Sequence, residues 1–125
     1  MLFQVENEYS SYNACDSSYM RRLRNLAREQ LGDDVLLFTT DGFSIKSKCG
    51  RVPGALATID FGTDTDPKKA WFGEKGRKAP RGPLINSELY TGWLDHWDEQ
   101  HQTVHATVLA NSIRKILNMG ASFNL

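Results

Sequence analysis

The chain has no long hydrophobic run, no excess charge of either sign, and only two cysteines among its 125 residues. No apolar stretch approaches the roughly 18 residues that a membrane-spanning helix needs. Fifteen basic residues balance fifteen acidic ones, so no overall field favours nucleic acid or an anionic membrane. Residues 1–15 do not predict a signal peptide, because the short apolar start already carries Glu6 and Glu8. We therefore expect neither a membrane span nor a nucleic-acid partner.

The two cysteines, Cys15 and Cys49, leave two interpretations open. They are too far apart for a redox motif and too few for a zinc site. Either both are buried free thiols, or one disulfide joins them, which would indicate an oxidising compartment. His101 and His105 have helical spacing, but no third ligand accompanies them. We expect no metal site and no cofactor.

The apolar pattern predicts strands that alternate with helices and irregular connections. Helical spacing of Met20, Leu23, Ala27 and Leu31 predicts a helix over about 17–31, capped by Asp16 or Ser17 and ended by Gly32. Strands are predicted at 2–5, 35–39, 56–61 and 83–87, and a fifth begins at 121.

The remaining segments carry turn, loop and further helix signals. A turn is predicted at 40–42, a helical turn at 68–72, and a helix from a Thr103 cap to about 119. Irregular, polar or charged connections are predicted at 43–54, 62–67 and 74–81. Short strands separated by helices and crossovers indicate parallel β/α units, so the predicted class is α/β.

Four acids sit at the carboxyl ends of predicted strands: Glu8, Asp41, Asp60 and Glu88. Ligands of parallel β/α folds bind at the carboxyl ends of the strands. In an open sheet, Glu8 and Glu88 would be about 14 Å apart, whereas a closed barrel would bring both over its mouth. A complete β/α barrel takes about 250 residues, so the chain would hold about half of one.

Two facing carboxylates can hydrolyse a glycosidic bond, one attacking the anomeric carbon while the other protonates the leaving oxygen. The alternative is that Glu8 and Glu88 are structural caps or salt-bridge partners. Aromatic side chains follow Glu88 at once, and pyranose rings pack on aromatic faces. Trp93 is the tryptophan most expected to line a sugar site, although Trp71, Trp93 and Trp97 could also be core residues.

At Asn7-Glu8 and in the block from Asn86 to Trp97, Asn-Ser-Glu-Leu-Tyr-Thr-Gly-Trp-Leu-Asp-His-Trp, the sequence resembles glycoside hydrolase family 35. This family comprises the β-galactosidases of the animal lysosomal type. Residues 4–9, 31–42 and 120–125 also look like family segments in the right order. The resemblance covers nearly the whole chain.

The resemblance implies that residues 1–125 are a fragment of a catalytic (β/α)8 TIM barrel, from strand 4 to the start of strand 8. It implies release of terminal non-reducing β-D-galactose with retention, with Glu8 as acid/base and Glu88 as nucleophile. Asn7 would then bind the sugar, and Tyr90 would contact nucleophile and substrate. Cys15 and Cys49 match a disulfide of the animal enzymes, and the implied setting is lysosomal or secreted.

The chain departs from the family pattern in several places. Ser10 stands where the family usually has glycine, Ala79 replaces a cysteine, and 98–100 differ from the usual Gly-Gln-Pro. Ser at a position of positive φ would carry a conformational cost. Half a barrel is expected to need its missing half or another chain. The alternative to an enzyme is a truncated, non-catalytic half-barrel that acts as an interaction partner of a full-length homologue.

Overall fold

A computed structural model describes residues 1–43, 48–73 and 82–125. The predicted connection at 74–81, with Ala79, and residues 44–47 of the predicted irregular segment lie outside the described residues. In chain order the strands and helices are β1 Leu2–Asn7, a 3-10 turn Tyr9–Ser11, α1 Ser17–Leu31, β2 Leu36–Gly42, β3 Leu56–Gly62, α2 Pro67–Phe72, β4 Ile85–Tyr90, α3 Ala106–Asn118 and β5 Phe123–Asn124.

Hydrogen-bonded strands follow one another in chain order, β1-β2-β3-β4-β5. The pairs β1–β2, β2–β3 and β4–β5 are parallel. Parallel neighbours need crossover connections; α1 supplies the one between β1 and β2, and α3 the one between β4 and β5. The predicted α/β class is therefore confirmed. No helix in the described part of the chain is long and apolar enough to cross a bilayer.

The chain divides into two compact units, Met1–Asp60 and Phe61–Leu125. In the first unit α1 packs its apolar stripe on β1 and β2, as the helical spacing predicts. Buried side chains from these elements and from the segments beside them form one hydrophobic cluster: Val5, Tyr9, Met20, Ala27, Val35, Leu37 and Val52. Burial of such side chains is the main favourable term in the folding of this unit.

Both predicted ends of α1 are confirmed. Asp16 is the N-cap, and its side chain accepts a hydrogen bond of 2.7 Å from the Ser18 N–H. At the other end Gly32 has φ +77°, and its N–H donates to the Arg28 carbonyl at 3.0 Å. A residue with a side chain would be strained in this conformation, so glycine ends the helix here.

The predicted turn at 40–42 is wrong, because β2 continues through these residues to Gly42. Thr40, Asp41 and Gly42 pair in parallel register with Thr58, Ile59 and Asp60 of β3. The pairing gives their backbone groups partners, so the sheet overrides the turn preference of Asp-Gly. β1 and β3 also run past their predicted ends, and β4 occupies Ile85–Tyr90 instead of 83–87. β5 is only the two residues Phe123–Asn124 and begins after the predicted start at 121.

In the second unit, α2 confirms the predicted helical turn. Asp66 caps it by accepting from the Lys68 N–H at 3.0 Å, and Pro67 occupies its first turn. The Trp71 ring meets Phe61 edge-on, with centroids 5.4 Å apart. Trp71 is buried, so it is a core aromatic and not a sugar platform.

The predicted Thr103 cap is wrong, because α3 begins at Ala106 with His105 as its N-cap. The His105 ring nitrogen Nδ1 accepts from the Thr107 N–H at 3.3 Å and so takes the role expected of a hydroxyl. On the apolar side of the helix, Ile116 is fully buried.

The disulfide between Cys15 and Cys49 is present, and it closes a span of 34 residues within the first unit. Replacing both cysteines by serine is expected to lower the free energy of unfolding by about 3–4 kcal/mol, since the cross-link limits the entropy of the unfolded chain. Urea unfolding followed by circular dichroism measures this loss. A reductant should shift the wild-type midpoint similarly and leave the double variant unchanged; a wild-type midpoint insensitive to reductant would contradict the prediction.

Candidate active site

The end of β1 is a backbone kink that presents Asn7 and Glu8. Glu6 and Glu8 have φ values of 65° and 51°, and the register against β2 shifts between Gln4 and Asn7. Left-handed conformations cost non-glycine residues roughly 1–3 kcal/mol and persist where neighbouring contacts fix them. Here the Glu8 N–H donates to the Thr40 carbonyl at 2.8 Å, and Gln4 Nε2 donates to the Glu6 carbonyl at 2.9 Å. The kink is therefore held by a backbone hydrogen bond to β2 and by the Gln4 side chain.

A cavity of about 470 Å³ opens at this end of β1. Asn7, Glu8 and the tyrosines Tyr9, Tyr12 and Tyr19 contribute to its lining. Gln4 Nε2 donates to Asn7 Oδ1 at 2.9 Å, so the Asn7 Nδ2 group is the donor that Asn7 can offer to a ligand. A half-buried carboxylate, an amide donor and aromatic rings are the groups that a sugar-binding site requires.

Tyr19 and Glu6 form a second contact beside this cavity. The Tyr19 hydroxyl donates to Glu6 Oε1 at 2.5 Å. This hydrogen bond to the carboxylate raises the pKa of Tyr19, because it favours the protonated hydroxyl. Tyr19 also packs its ring on Tyr9, with centroids 5.1 Å apart. The Tyr19 side chain is therefore held by its hydroxyl and by its ring.

Asp41 and Asp60 lie near the carboxyl ends of β2 and β3, as the sequence predicts, but both side chains are buried. Their exposed fractions are only 3% and 2%. The Ser10 N–H donates to Asp41 Oδ1 at 2.8 Å. A Cβ at position 50 would lie 1.9 Å from Asp41 Oδ2, so only glycine fits beside this carboxylate. Both acids are therefore buried inside the first unit, and Asp41 holds the Ser10 backbone there.

Burial dominates the titration of Asp41. It raises the pKa of the carboxyl above the ordinary value of 3.8, and the negative charge of Asp60 acts in the same direction. Hydrogen bonds from Ser10 and the positive charge of Arg51 oppose the rise. Ser10 is not among the residues with positive φ, so the conformational cost expected for it does not arise.

Glu88 lies in the second unit, within β4, two residues before Tyr90. Because side chains alternate along a strand, Glu88 and Tyr90 share one face of β4. Both are half-buried, and the Glu88 N–H donates to Asn86 Oδ1 at 3.4 Å. A carboxylate and a phenol on the same face form a polar edge at the carboxyl end of the strand.

The loop after β4 places Trp93 against Tyr90. The two rings meet at 72° with centroids 5.7 Å apart, and Trp93 stays 63% exposed. Both residues line a cavity of about 390 Å³. Trp97 is fully exposed, so it belongs to neither a core nor a cavity wall.

Asp95 fixes the far end of the same loop. Its Oδ1 accepts from the Gln102 N–H at 2.7 Å, and His101 Nδ1 donates to its Oδ2 at 2.6 Å. These two hydrogen bonds hold the pKa of Asp95 below its usual value, with the Gln102 contact the larger cause. Gly62, Asp64 and Gln102 line the cavity with Trp93 and are not among the residues predicted from the sequence. The polar loop predicted after β3 is the sequence signal for Asp64.

The predicted site residues thus form two groups. Asn7 and Glu8 share a cavity in the first unit, and Tyr90 and Trp93 share one in the second. The pairing of Glu8 with Glu88 stays a prediction. Across residues 1–43, 48–73 and 82–125, no group of three or more His, Cys, Asp or Glu side chains could hold a metal ion.

Residues 1–125 match the family described as Glycosyl hydrolases family 35. The chain is 51% identical over 123 residues to the beta-galactosidase of Homo sapiens and 52% identical over 123 residues to that of Mus musculus. It is also 49% identical over 122 residues to the beta-galactosidase-1-like protein of Mus musculus. Each alignment covers 98% of this chain but only 18–19% of the relative, so the chain spans about a fifth of the length of these curated relatives.

The raised pKa of Asp41 predicts a pH-dependent stability. The folded state holds the carboxyl proton more tightly than the unfolded state, so stability is gained as pH falls through the folded-state pKa and is complete below the ordinary value of 3.8. Relative to Asp41→Asn, the wild-type chain should therefore gain free energy of unfolding between pH 7 and pH 4. Urea unfolding of both proteins across this range measures the difference, and parallel curves would contradict it.

Proposed function

Because the chain belongs to glycosyl hydrolase family 35, we propose that it carries the catalytic acids of a retaining exo-β-galactosidase. The substrate is a glycan or glycoconjugate with a terminal non-reducing β-D-galactose. The observation that carries the proposal is the cavity at the kinked end of β1, where Asn7 and Glu8 stand beside tyrosine rings. On one face of β4, Glu88 supplies the proposed nucleophile and Tyr90 a hydroxyl beside it.

In the proposed reaction Glu88 is the nucleophile. Its carboxylate oxygen bonds to the anomeric carbon while the bond from that carbon to the leaving oxygen breaks. Glu8 gives its proton to the leaving oxygen, then removes one from a water molecule that hydrolyses the galactosyl-enzyme bond. Two inversions give retention, and this mechanism requires the two carboxyl groups to lie about 5–5.5 Å apart.

Asn7 and Tyr90 have supporting roles in this proposal. The Asn7 Nδ2 group donates to a sugar hydroxyl, near the 2-position, because Gln4 already occupies its Oδ1. The Tyr90 hydroxyl contacts the nucleophile and the substrate from the face of β4 that it shares with Glu88. Trp93 contributes an exposed aromatic face on which a pyranose can pack.

We further propose that residues 1–125 form strands 4 to the start of 8 of the family's β/α barrel. An apolar groove of about 360 Å³ between β1 and α1 supports this, since Phe3 and Leu26 on it are 42% and 41% exposed. The preceding β/α unit of the barrel is the proposed occupant of this groove. The disulfide supports an oxidising setting, which is lysosomal or secreted for this family.

Hydrolysis of a fluorogenic aryl β-galactoside tests the function. The 125-residue chain is assayed from pH 4 to 7, alone and with the upstream barrel half of a family member supplied separately. We expect hydrolysis that Glu88→Gln removes and that Glu8→Gln lowers by about 10²–10⁴-fold, because Glu8 acts in proton transfer. Glu29→Gln, an exposed carboxylate on α1 that pairs with Arg22, is the matched control and should keep full activity.

Azide separates the two roles. In Glu88→Ala, azide should replace the nucleophile and yield an α-galactosyl azide, whereas in Glu8→Ala it should attack the galactosyl enzyme and yield the β-product. If Glu88→Ala gave the β-azide and Glu8→Ala the α-azide, Glu8 would be the nucleophile and Glu88 the acid/base. No hydrolysis even with the upstream half supplied would refute the enzyme and favour the non-catalytic partner of a full-length homologue.

A further inference from the structure

The cavity in the second unit has features that the reaction at Glu88 does not use. About 390 Å³ in volume, it lies near the lower end of the range for ligand sites, which suits a single sugar ring. Its walls come from three segments: the loop after β3, the loop after β4, and residues 102–104. Tyr90 belongs to this lining and Glu88, on the same strand face, does not, so the cavity adjoins the proposed nucleophile without containing it.

Gly62 brings the polar and aromatic walls together. A Cβ at this position would lie 2.8 Å from Tyr90 Cδ2 and 3.0 Å from Asp64 Oδ1. The absence of a side chain therefore lets the Tyr90 ring and the Asp64 carboxylate approach one another across the glycine. The Thr65 N–H donates to the Gly62 carbonyl at 3.2 Å, which closes the loop into a turn behind Asp64.

The third wall is fixed by Asp95. Its carboxylate accepts from the Gln102 N–H and from His101, at 2.7 and 2.6 Å. These bonds span the loop from 95 to 102 and set the backbone from which the Gln102 side chain projects. The backbone segments that carry Asp64 and Gln102 are thus held by local contacts before any ligand binds, which lowers the entropic cost of binding.

The cavity is open to solvent where Trp93, Gln102 and Thr103 line it, since all three are exposed. An exo-acting glycosidase must enclose the terminal sugar and leave the rest of the glycan room to continue outward. An open cavity with the aromatic rings of Tyr90 and Trp93, one carboxylate and one amide therefore suits the sugar on the leaving-group side of the cleaved bond.

We propose that this cavity binds the neutral hexopyranose to which the terminal galactose is attached, with Asp64 and Gln102 as its hydroxyl partners. This inference rests on the proposed function for the position of the cleaved bond. The Trp93 ring packs on the hexose ring, the Asp64 carboxylate accepts from hydroxyls, and the Gln102 amide accepts and donates. The two polar side chains thereby favour a second sugar over an apolar or small leaving group.

Binding of two probes to the Glu88→Gln chain tests the proposal without hydrolysis. Methyl β-lactoside carries the second hexose and methyl β-galactoside lacks it, and both affinities are measured from the indole N–H signal of Trp93 by NMR. We expect the lactoside to bind about tenfold more tightly, and Asp64→Ala or Gln102→Ala to remove most of that advantage. Because both probes share galactose, the Glu88 substitution cancels in their ratio.

Gln100→Ala and Glu99→Gln are matched controls, because both residues are exposed, lie on the 95–102 loop and do not line the cavity. They should keep the full preference for the lactoside. Equal affinities for both probes, or a preference that survives Asp64→Ala and Gln102→Ala together, would overturn the inference while the aryl galactoside is still hydrolysed. If Asp64→Ala and Gln102→Ala abolish the preference for the lactoside but the wild-type chain hydrolyses no aryl galactoside, the inferred hexose site is supported and the proposed reaction is refuted.

Discussion

The hydrogen bond from the Ser10 N–H to the buried Asp41 carboxylate is the contact on which the first unit depends. It joins the turn after β1 to the carboxyl end of β2, two residues beyond Glu8. With the Glu8 N–H on the Thr40 carbonyl, it gives the kinked chain two attachments to one strand. Without them, the left-handed backbone at Glu6 and Glu8 would relax, because its conformational cost needs compensating contacts.

The two units hold the backbone beside their cavities with acids in different surroundings. In the first, the buried carboxylate of Asp41 holds the Ser10 backbone, and Asn7 and Glu8 line the cavity. In the second, an exposed acid, Asp95, organises a loop through hydrogen bonds at its surface. Burial raises the pKa of the Asp41 carboxyl and hydrogen bonding lowers that of Asp95, so the surroundings shift the same residue type in opposite directions in the two units.

The sequence predicts those features of the fold and the site whose signals lie close together along the chain, and misses those that depend on pairing between distant segments. The helix α1 carries its cap, its apolar stripe and its terminating glycine within about twenty residues of sequence, and all were read correctly. The end of β2 was misread, because Thr-Asp-Gly has turn composition and only pairing with β3 reveals the strand. Asp64 and Gln102 were missed for a related reason: they are far apart in sequence and meet only through folding. Spacing left the disulfide open, the resemblance implied it, and the structure shows it.

The close approach of Gly50 to Asp41 has a consequence for how this chain can change over time. Any side chain at position 50 would occupy the space of the Asp41 carboxylate, so the two positions cannot vary independently. A larger residue at 50 becomes admissible only after 41 has shrunk, and shrinking 41 removes the acceptor for Ser10. Accumulated substitutions must therefore pass through an intermediate with a weakened attachment behind Glu8.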